Sequence, residues 1–188
     1  MKILSIDPAN METGFVFMEG DKIIDNGKFE NQDFFKWIFK HKSEIDLTVI
    51  EMPLIMGNSM HIRNTILFTG QLIQFLRVLK INYYSGMCRS TVTHAIIPKR
   101  IVIADPELSN IKSNDVKIKV VMKRIHGHQL NLKSNDEIQA LALFHAYIIK
   151  KEEGKLDYDR YYNNFKFPVP IKKQRKGGKG NKRNIRTK

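Results

Sequence analysis

Lys2-Ile3-Leu4-Ser5-Ile6-Asp7, followed closely by Thr13-Gly14-Phe15-Val16-Phe17-Met18, is the stretch whose reading decides the fold. The first run is a short apolar strand with Ser5 and Asp7 on one face, since strand side chains alternate. The second is β-branched and aromatic, with a turn over Pro8 to Glu12 between them. A core strand that closes on Asp7 puts a carboxylate at its mouth. Burying an isolated charge costs several kcal/mol, so such an acid needs a partner. The same arrangement occurs twice more: Glu51 closes Leu47-Thr48-Val49-Ile50, and Asp136 opens a helical run reaching Ile149.

Working outward, Lys22 to Phe29 reads as a third strand after a Gly20-Asp21 turn, with Asn26-Gly27 marking a bulge or turn. Phe34, Phe35, Trp37, Ile38 and Phe39 form a short helix over this meander. Leu47 to Glu51 is apolar on both faces, which predicts a central, parallel strand. Ile62, Ile66, Leu72, Ile73, Leu76 and Leu79 recur at helical spacing and predict a long helix over 60–80. Asn82 to Met87 is a fifth strand, and Ser90 opens a short helix through Ile97. Ile101-Val102-Ile103 reads as an extra strand before an Asp105-Pro106 turn. Helices over 113–126 and 135–150 complete the pattern. The expected class is α/β: a mixed five-stranded sheet with strands 1–3 antiparallel, strands 4 and 5 parallel, and helices on both faces.

The chain has 188 residues and a net charge of +13, and nine of the lysines and arginines, with no acid, fall in residues 172–188. That segment, with Gly177, Gly178 and Gly180, reads as a disordered basic tail and a phosphate-binding arm. The expected organisation is one domain over 1–150, an extension over 151–171 and the tail. One cysteine, Cys88, excludes a disulfide framework and a cysteine zinc cluster. With no eighteen-residue apolar run and no signal peptide, the chain reads as cytoplasmic, without a membrane partner. Three core-edge acids in a basic protein point to a Mg²⁺-dependent enzyme acting on nucleic acid.

The motifs resemble those of a known family. Ile3-Leu4-Ser5-Ile6-Asp7-Pro8-Ala9 with Thr13-Gly14-Phe15 looks like the opening motif of RuvC-type Holliday junction resolvases, and Val49-Ile50-Glu51 looks like their second acidic motif. Gly70-Gln71-Leu72 and Ser134-Asn135-Asp136-Glu137-Ile138-Gln139-Ala140-Leu141-Ala142-Leu143 resemble the later ones. The likeness covers about residues 1–150. It implies a ribonuclease H-like fold, a homodimer and metal-dependent cleavage of branched DNA, chiefly four-way junctions. The short chain, basic tail and divergent motifs look more like phage or viral members, which would act in the cytoplasm of a bacterial host. A broader branched-DNA or flap nuclease on the same scaffold, and a non-catalytic DNA-binding relative, are the alternatives. An actin-like ATPase is disfavoured by length, and no nucleotide cofactor is expected.

Phosphodiester hydrolysis at such a site uses two Mg²⁺ (or Mn²⁺) ions about 4 Å apart. Asp7 would bridge both, Glu51 would hold one and Asp136 the other. Bland roles compete: a turn cap for Asp7, a salt-bridged strand end for Glu51, a helix cap for Asp136. The family usually carries a further acid three residues after the last one, where this chain has Gln139, an uncharged donor. Glu137 is an acid nearby but rotated about 100° around the helix. His126, His128 and His145 are weaker candidates. For DNA, Arg63 and Asn64 open the long helix after the Glu51 loop (Pro53 to Met60), and Gly57-Asn58-Ser59-Met60-His61 is a candidate junction probe. Arg89 follows the fifth strand, and Lys112, Lys117, Lys119, Lys123 and Arg124 form a basic stripe, of which Lys117 or Lys119 resembles the family's lysine. A two-fold dimer would present two sites to the two equivalent strands of a junction.

Overall fold

A computed structural model describes residues 1–53, 60–127 and 132–156. Its strands are β1 (Lys2–Asp7), β2 (Glu12–Glu19), β3 (Lys22–Glu30), β4 (Leu47–Met52) and β5 (Tyr83–Cys88), in one sheet of order β3-β2-β1-β4-β5. The helices are α1 (Asn31–His41), α2 (Met60–Val78), α3 (Arg89–Ile96), α4 (Lys99–Ala104), α5 (Pro106–Asn110), α6 (Asn114–His126) and α7 (Asn135–Glu152). Strands β1, β2 and β3 run antiparallel, while β4 lies parallel to β1 and β5 parallel to β4, as the patterning predicts.

Local chemistry accounts for these pairings. Glu19 pairs with Lys22, so Gly20 and Asp21 alone make the β2–β3 turn, and Gly20 supplies its left-handed φ of +58°. The alternation of β1 splits the core. Leu4 and Ile6, with Phe15, Phe17 and Ile50, pack against Phe34 and Ile38 of α1 and Phe68, Leu72 and Leu76 of α2. Ile3, Val16, Met18 and Val49 face α3, α6 and α7. Helix α7 is buried without a break from Glu137 to Phe144, so it lies between the sheet and other helices rather than on the surface. Ser5 anchors it to the central strand by donating its hydroxyl to the Ala140 carbonyl at 2.6 Å.

Two expectations are corrected. Ile101-Val102-Ile103 is helical: the amides of Ile101 and Val102 return to the Pro98 carbonyl, and Asp105 N–H returns to Ile101. Only Ile97 and Pro98 separate α3 from α4, too short a link to bring the chain back to a sheet edge, so β-branched propensity yields to connectivity. Asp105 then caps α5 by accepting from the amides of Glu107 and Leu108, and Arg124 ties that cap to α6 through Asp105 and Glu107. The β3 bulge falls at Ile24, not at Asn26-Gly27, since Phe17 pairs with Asp25 and Met18 with Ile23. Gly27 serves packing instead: a Cβ there would lie 3.1 Å from the Phe15 ring. Helix α7 runs to Glu152, two residues past its expected end at 150, and the basic tail lies outside the described residues.

Candidate active site

Four elements converge at the C-terminal ends of β1 and β4. Ser5 and Asp7 share the α7 side of β1, and the parallel register that pairs Ile6 with Ile50 makes Asp7 and Glu51 neighbours at two adjacent strand ends. Asp136 comes in from the first turn of α7, directly over Gly14. Asp7 pairs with Gly14 across β1 and β2, and a Cβ at Gly14 would meet Asp136 backbone and Cβ atoms at 2.5–2.8 Å. Glycine there is what lets the helix start approach the strand end. The expected competitor role of Asp136 as helix cap falls to others: Ser134 accepts from Glu137 N–H, and Glu137 Oε2 accepts from Ser134 N–H at 2.6 Å, a capping box. Asp136 is thereby free to point outward.

Between the acids stands Arg89. An extra residue in β5 between the Val49–Tyr84 and Glu51–Met87 pairs shifts the register, so the strand delivers Arg89, the first residue of α3, beside Glu51. Its Nη1 lies 3.3 Å from Glu51 Oε2 and 3.8 Å from Asp7 Oδ2, and its Nη2 lies 3.5 Å from Asp115 Oδ1. Asp136 Oδ2 is 3.0 Å from Lys28 Nζ, which also reaches Glu12 at 2.7 Å. Burial, and then the Glu51 charge, push the Asp7 carboxyl well above the usual carboxylate range; Arg89 opposes them, and Asp136 and Asp115 add to the rise. Glu51 is raised too, by burial first, with Arg89 pulling it back and Asp115 adding to the rise. The pocket thus gathers four acids, Asp7, Glu51, Asp115 and Asp136, around two cations, Arg89 and Lys28.

The structure brings Asp7, Glu51, Asp136 and Gln139 to this end of the sheet and leaves Glu137 aside. Both Glu137 oxygens are engaged, Oε2 by the amides of Lys133 and Ser134 and Oε1 by Asn26 Nδ2 at 2.7 Å. Gln139 is fully buried, and its Nε2 donates to Asp115 Oδ1 at 3.2 Å. Asp115, in the first turn of α6, is the acid that sequence reasoning missed; its only local signal is its place after Ser113 and Asn114 at a helix start. Lys28 and Glu12 were missed as well, because only the hairpin register carries them under Asp136.

Arg63 and Asn64 are exposed on the first turn of α2, which is tied to the loop after Asp7 by a 3.0 Å contact between Asn10 and His61. Lys112, Lys119 and Lys123 are exposed and Lys117 half-buried; on α6, Lys119 and Lys123 share a face and Lys117 does not. Residues 57–59 and His128 lie outside the described residues. His126 and His145 meet each other, Nε2 to Nε2 at 2.7 Å, and sense Asp21 at the opposite end of the sheet. Among the described residues no three acid, histidine or cysteine side chains converge closely enough to hold a metal ion as they stand; the guanidinium lies between the acids. The donor set nevertheless fits a hard divalent cation. It is all oxygen, it carries surplus negative charge, and Gln139 Oε1 is a buried acceptor with no partner among the described residues.

Solved structures give the comparison for this frame. Thermus thermophilus RuvC superposes with a TM-score of 0.62 at 11% identity, covering 82% of this chain and 98% of that one. A second structure, T. thermophilus RuvC in complex with Holliday junction substrate, matches with a TM-score of 0.61 at 10% identity and the same coverage. The fold is that of RuvC. No family model matches the chain, and no curated protein sequence does. The RuvC likeness thus lies in backbone architecture, and it spans nearly the whole of that protein. No described helix is long and apolar enough to cross a membrane.

Proposed function

We propose that this protein is a structure-specific endodeoxyribonuclease that resolves four-way DNA junctions by divalent-metal-assisted phosphodiester hydrolysis. The observation that carries this reading is the set of acids at the ends of β1, β4 and α7, on a RuvC fold, with Arg89 and Lys28 as their cationic partners. Asp7, Glu51 and Asp136 would hold Mg²⁺ or Mn²⁺. When bound, such ions supply charge stabilisation at the phosphoryl oxygens and an activated water. Arg89 and Lys28 neutralise the acids meanwhile and become available to a scissile-strand phosphate once the acids are otherwise engaged. Arg63, Asn64, Lys112, Lys117, Lys119 and Lys123 would contact flanking phosphates, with the tail over 172–188 as a further arm. Such contacts fix register rather than read sequence, so affinity should fall steeply with salt and preference should follow junction shape. Two copies related by a two-fold axis would cut the two equivalent strands.

Asp7→Asn is the deciding variant. Loss of cleavage of a synthetic four-way junction, with junction binding retained, supports the proposal; unchanged cleavage would falsify it. Comparing junctions, forks and linear duplex on the wild-type chain separates a junction enzyme from a broader branched-DNA nuclease.

A further inference from the structure

The position three residues after Asp136 holds the uncharged Gln139, and an acid from another helix, Asp115 of α6, meets its side chain. Resting on the nuclease reading above, we propose that Asp115 of α6 supplies the negative charge that Gln139 of α7 lacks, and that the two side chains form a single metal-facing unit. Asp115 contributes the charge and Gln139 Oε1 a neutral oxygen ligand.

Three observations carry this. Gln139 lies three residues after Asp136, hence on the same face of α7, and it is completely buried. Its Nε2 donates to Asp115 Oδ1 at 3.2 Å, which fixes the orientation of the carboxamide, because the rotated form would set two acceptors against each other. The oxygen left over, Oε1, has no partner among the described residues, and a buried carbonyl oxygen without one is costly. Gln139 Nε2 and Arg89 Nη2 meet at the same Asp115 oxygen, and Arg89 Nη1 in turn contacts Glu51 and Asp7. Ser113 occupies the N-cap, and Asp115 sits one residue inside the helix with its carboxylate turned toward Arg89 and Gln139.

The simpler account is that Asp115 is only a counter-ion for Arg89, and the two accounts separate by experiment. Mn²⁺ binding to the full chain is measured by titration calorimetry without DNA, and junction cleavage is measured separately. Asp115→Asn is expected to weaken Mn²⁺ binding on the order of tenfold or more. The loss should persist at about 0.5 M salt, where the effect of a distant charge would be screened. Adding Gln139→Glu, which has the shape of the native side chain, should restore binding to within a few-fold of wild type. In an Arg89→Gln background Asp115→Asn should still weaken Mn²⁺ binding. Unchanged Mn²⁺ affinity for Asp115→Asn, or an effect that disappears in the Arg89→Gln background, overturns the proposal. Because Asp115 is half-exposed and is not the helix cap, its single variant remains decisive even if Gln139→Glu does not fold. If Asp7→Asn abolishes Mn²⁺ binding and cleavage while Asp115→Asn changes neither, only this inference falls. If Asp7→Asn changes neither, the nuclease reading falls with it.

Discussion

The two sides of the sheet are built from different materials. The side under α1 and α2 is filled with Leu4, Ile6, Phe15, Phe17, Ile50, Phe34 and Ile38, and the Phe15 ring stacks on Phe29 with 5.5 Å between centroids. The side under α7 has apolar packing too, yet it also buries Ser5, Glu51, Glu137 and Gln139. Each of these carries a cost that apolar side chains of the same size would avoid. Ser5 recovers it by holding α7, and Glu137 by closing the capping box. Glu51 and Gln139 recover it only in part, one beside Arg89 and the other with an orphan oxygen. One side therefore holds the fold together, and the other gives up some stability to keep polar side chains buried at the strand ends and on α7.

A matched pair of substitutions tests that division most severely. Phe15→Ala, in the centre of the aromatic side, should cost about 3–5 kcal/mol and lower the melting temperature markedly. Asp7→Asn should leave the melting temperature at neutral pH equal to or above wild type while removing cleavage. The sign follows from the raised carboxyl of Asp7. A group whose folded value lies above its unfolded value adds stability at low pH and loses it as pH rises through the folded value. The ionised form is thus the costly one, and asparagine avoids it. A large destabilisation by Asp7→Asn would break the comparison.

How much of this was legible in the sequence depends on how far each feature reaches. Asp7, Glu51 and Asp136 could be found because each terminates or opens a local apolar run, and the β2–β3 turn because Gly20-Asp21 is a local signal. Arg89 was expected to touch DNA, but its place among the acids depends on the β5 bulge, which no short pattern announces. Asp115 and Lys28 reach the site through α6 packing and hairpin register, both settled by long-range contacts. Helix α4 was misread because three β-branched residues look like a strand until the two-residue link to α3 is known.

On the α7 side but at the far end of the sheet, the His126–His145 pair offers a polar feature without a place among the acids. Burial first, and then His126, lower His145 to about 4. A depressed histidine contributes stability above the unfolded value near 6.5, lost as pH falls through the folded value. Unfolding by urea should therefore show a loss of up to about 3 kcal/mol between pH 6.5 and 4 from this residue. His145→Leu should flatten that part of the profile relative to wild type. Equal profiles would show that the pair is not a stability device.

Gly14→Ala probes the seam between the sheet and the site. The added methyl would overlap Asp136 backbone atoms at 2.5 and 2.8 Å, so the start of α7 has to move. The expected cost is about 1–3 kcal/mol, with a fall in junction cleavage larger than the loss of stability explains. Full cleavage at a reduced melting temperature would mean that Asp136 need not sit where Gly14 allows it.

The smallest effect comes from the apolar side, whose buried threonines Thr13 and Thr69 are hydrogen-bonded while a third, Thr48, is not. Thr48 pairs with Leu4 across β1 and β4, so its side chain points toward α1 and α2. It is fully buried, and its Oγ1 has no partner among the described residues. A hydroxyl buried without a partner costs free energy, and valine keeps the branched shape without it. Thr48→Val should therefore raise stability by up to about 1 kcal/mol and leave cleavage unchanged. Gln139→Leu makes the matching change on the other side, removing an orphan oxygen from a buried site. If both variants gain stability but only the second impairs Mn²⁺ binding, the two unpartnered oxygens differ as the two sides do. In that outcome the one on the aromatic side would be an imperfection of packing, and the one under α7 a ligand held ready. A loss of Mn²⁺ binding by Thr48→Val, or none by Gln139→Leu, would erase that distinction.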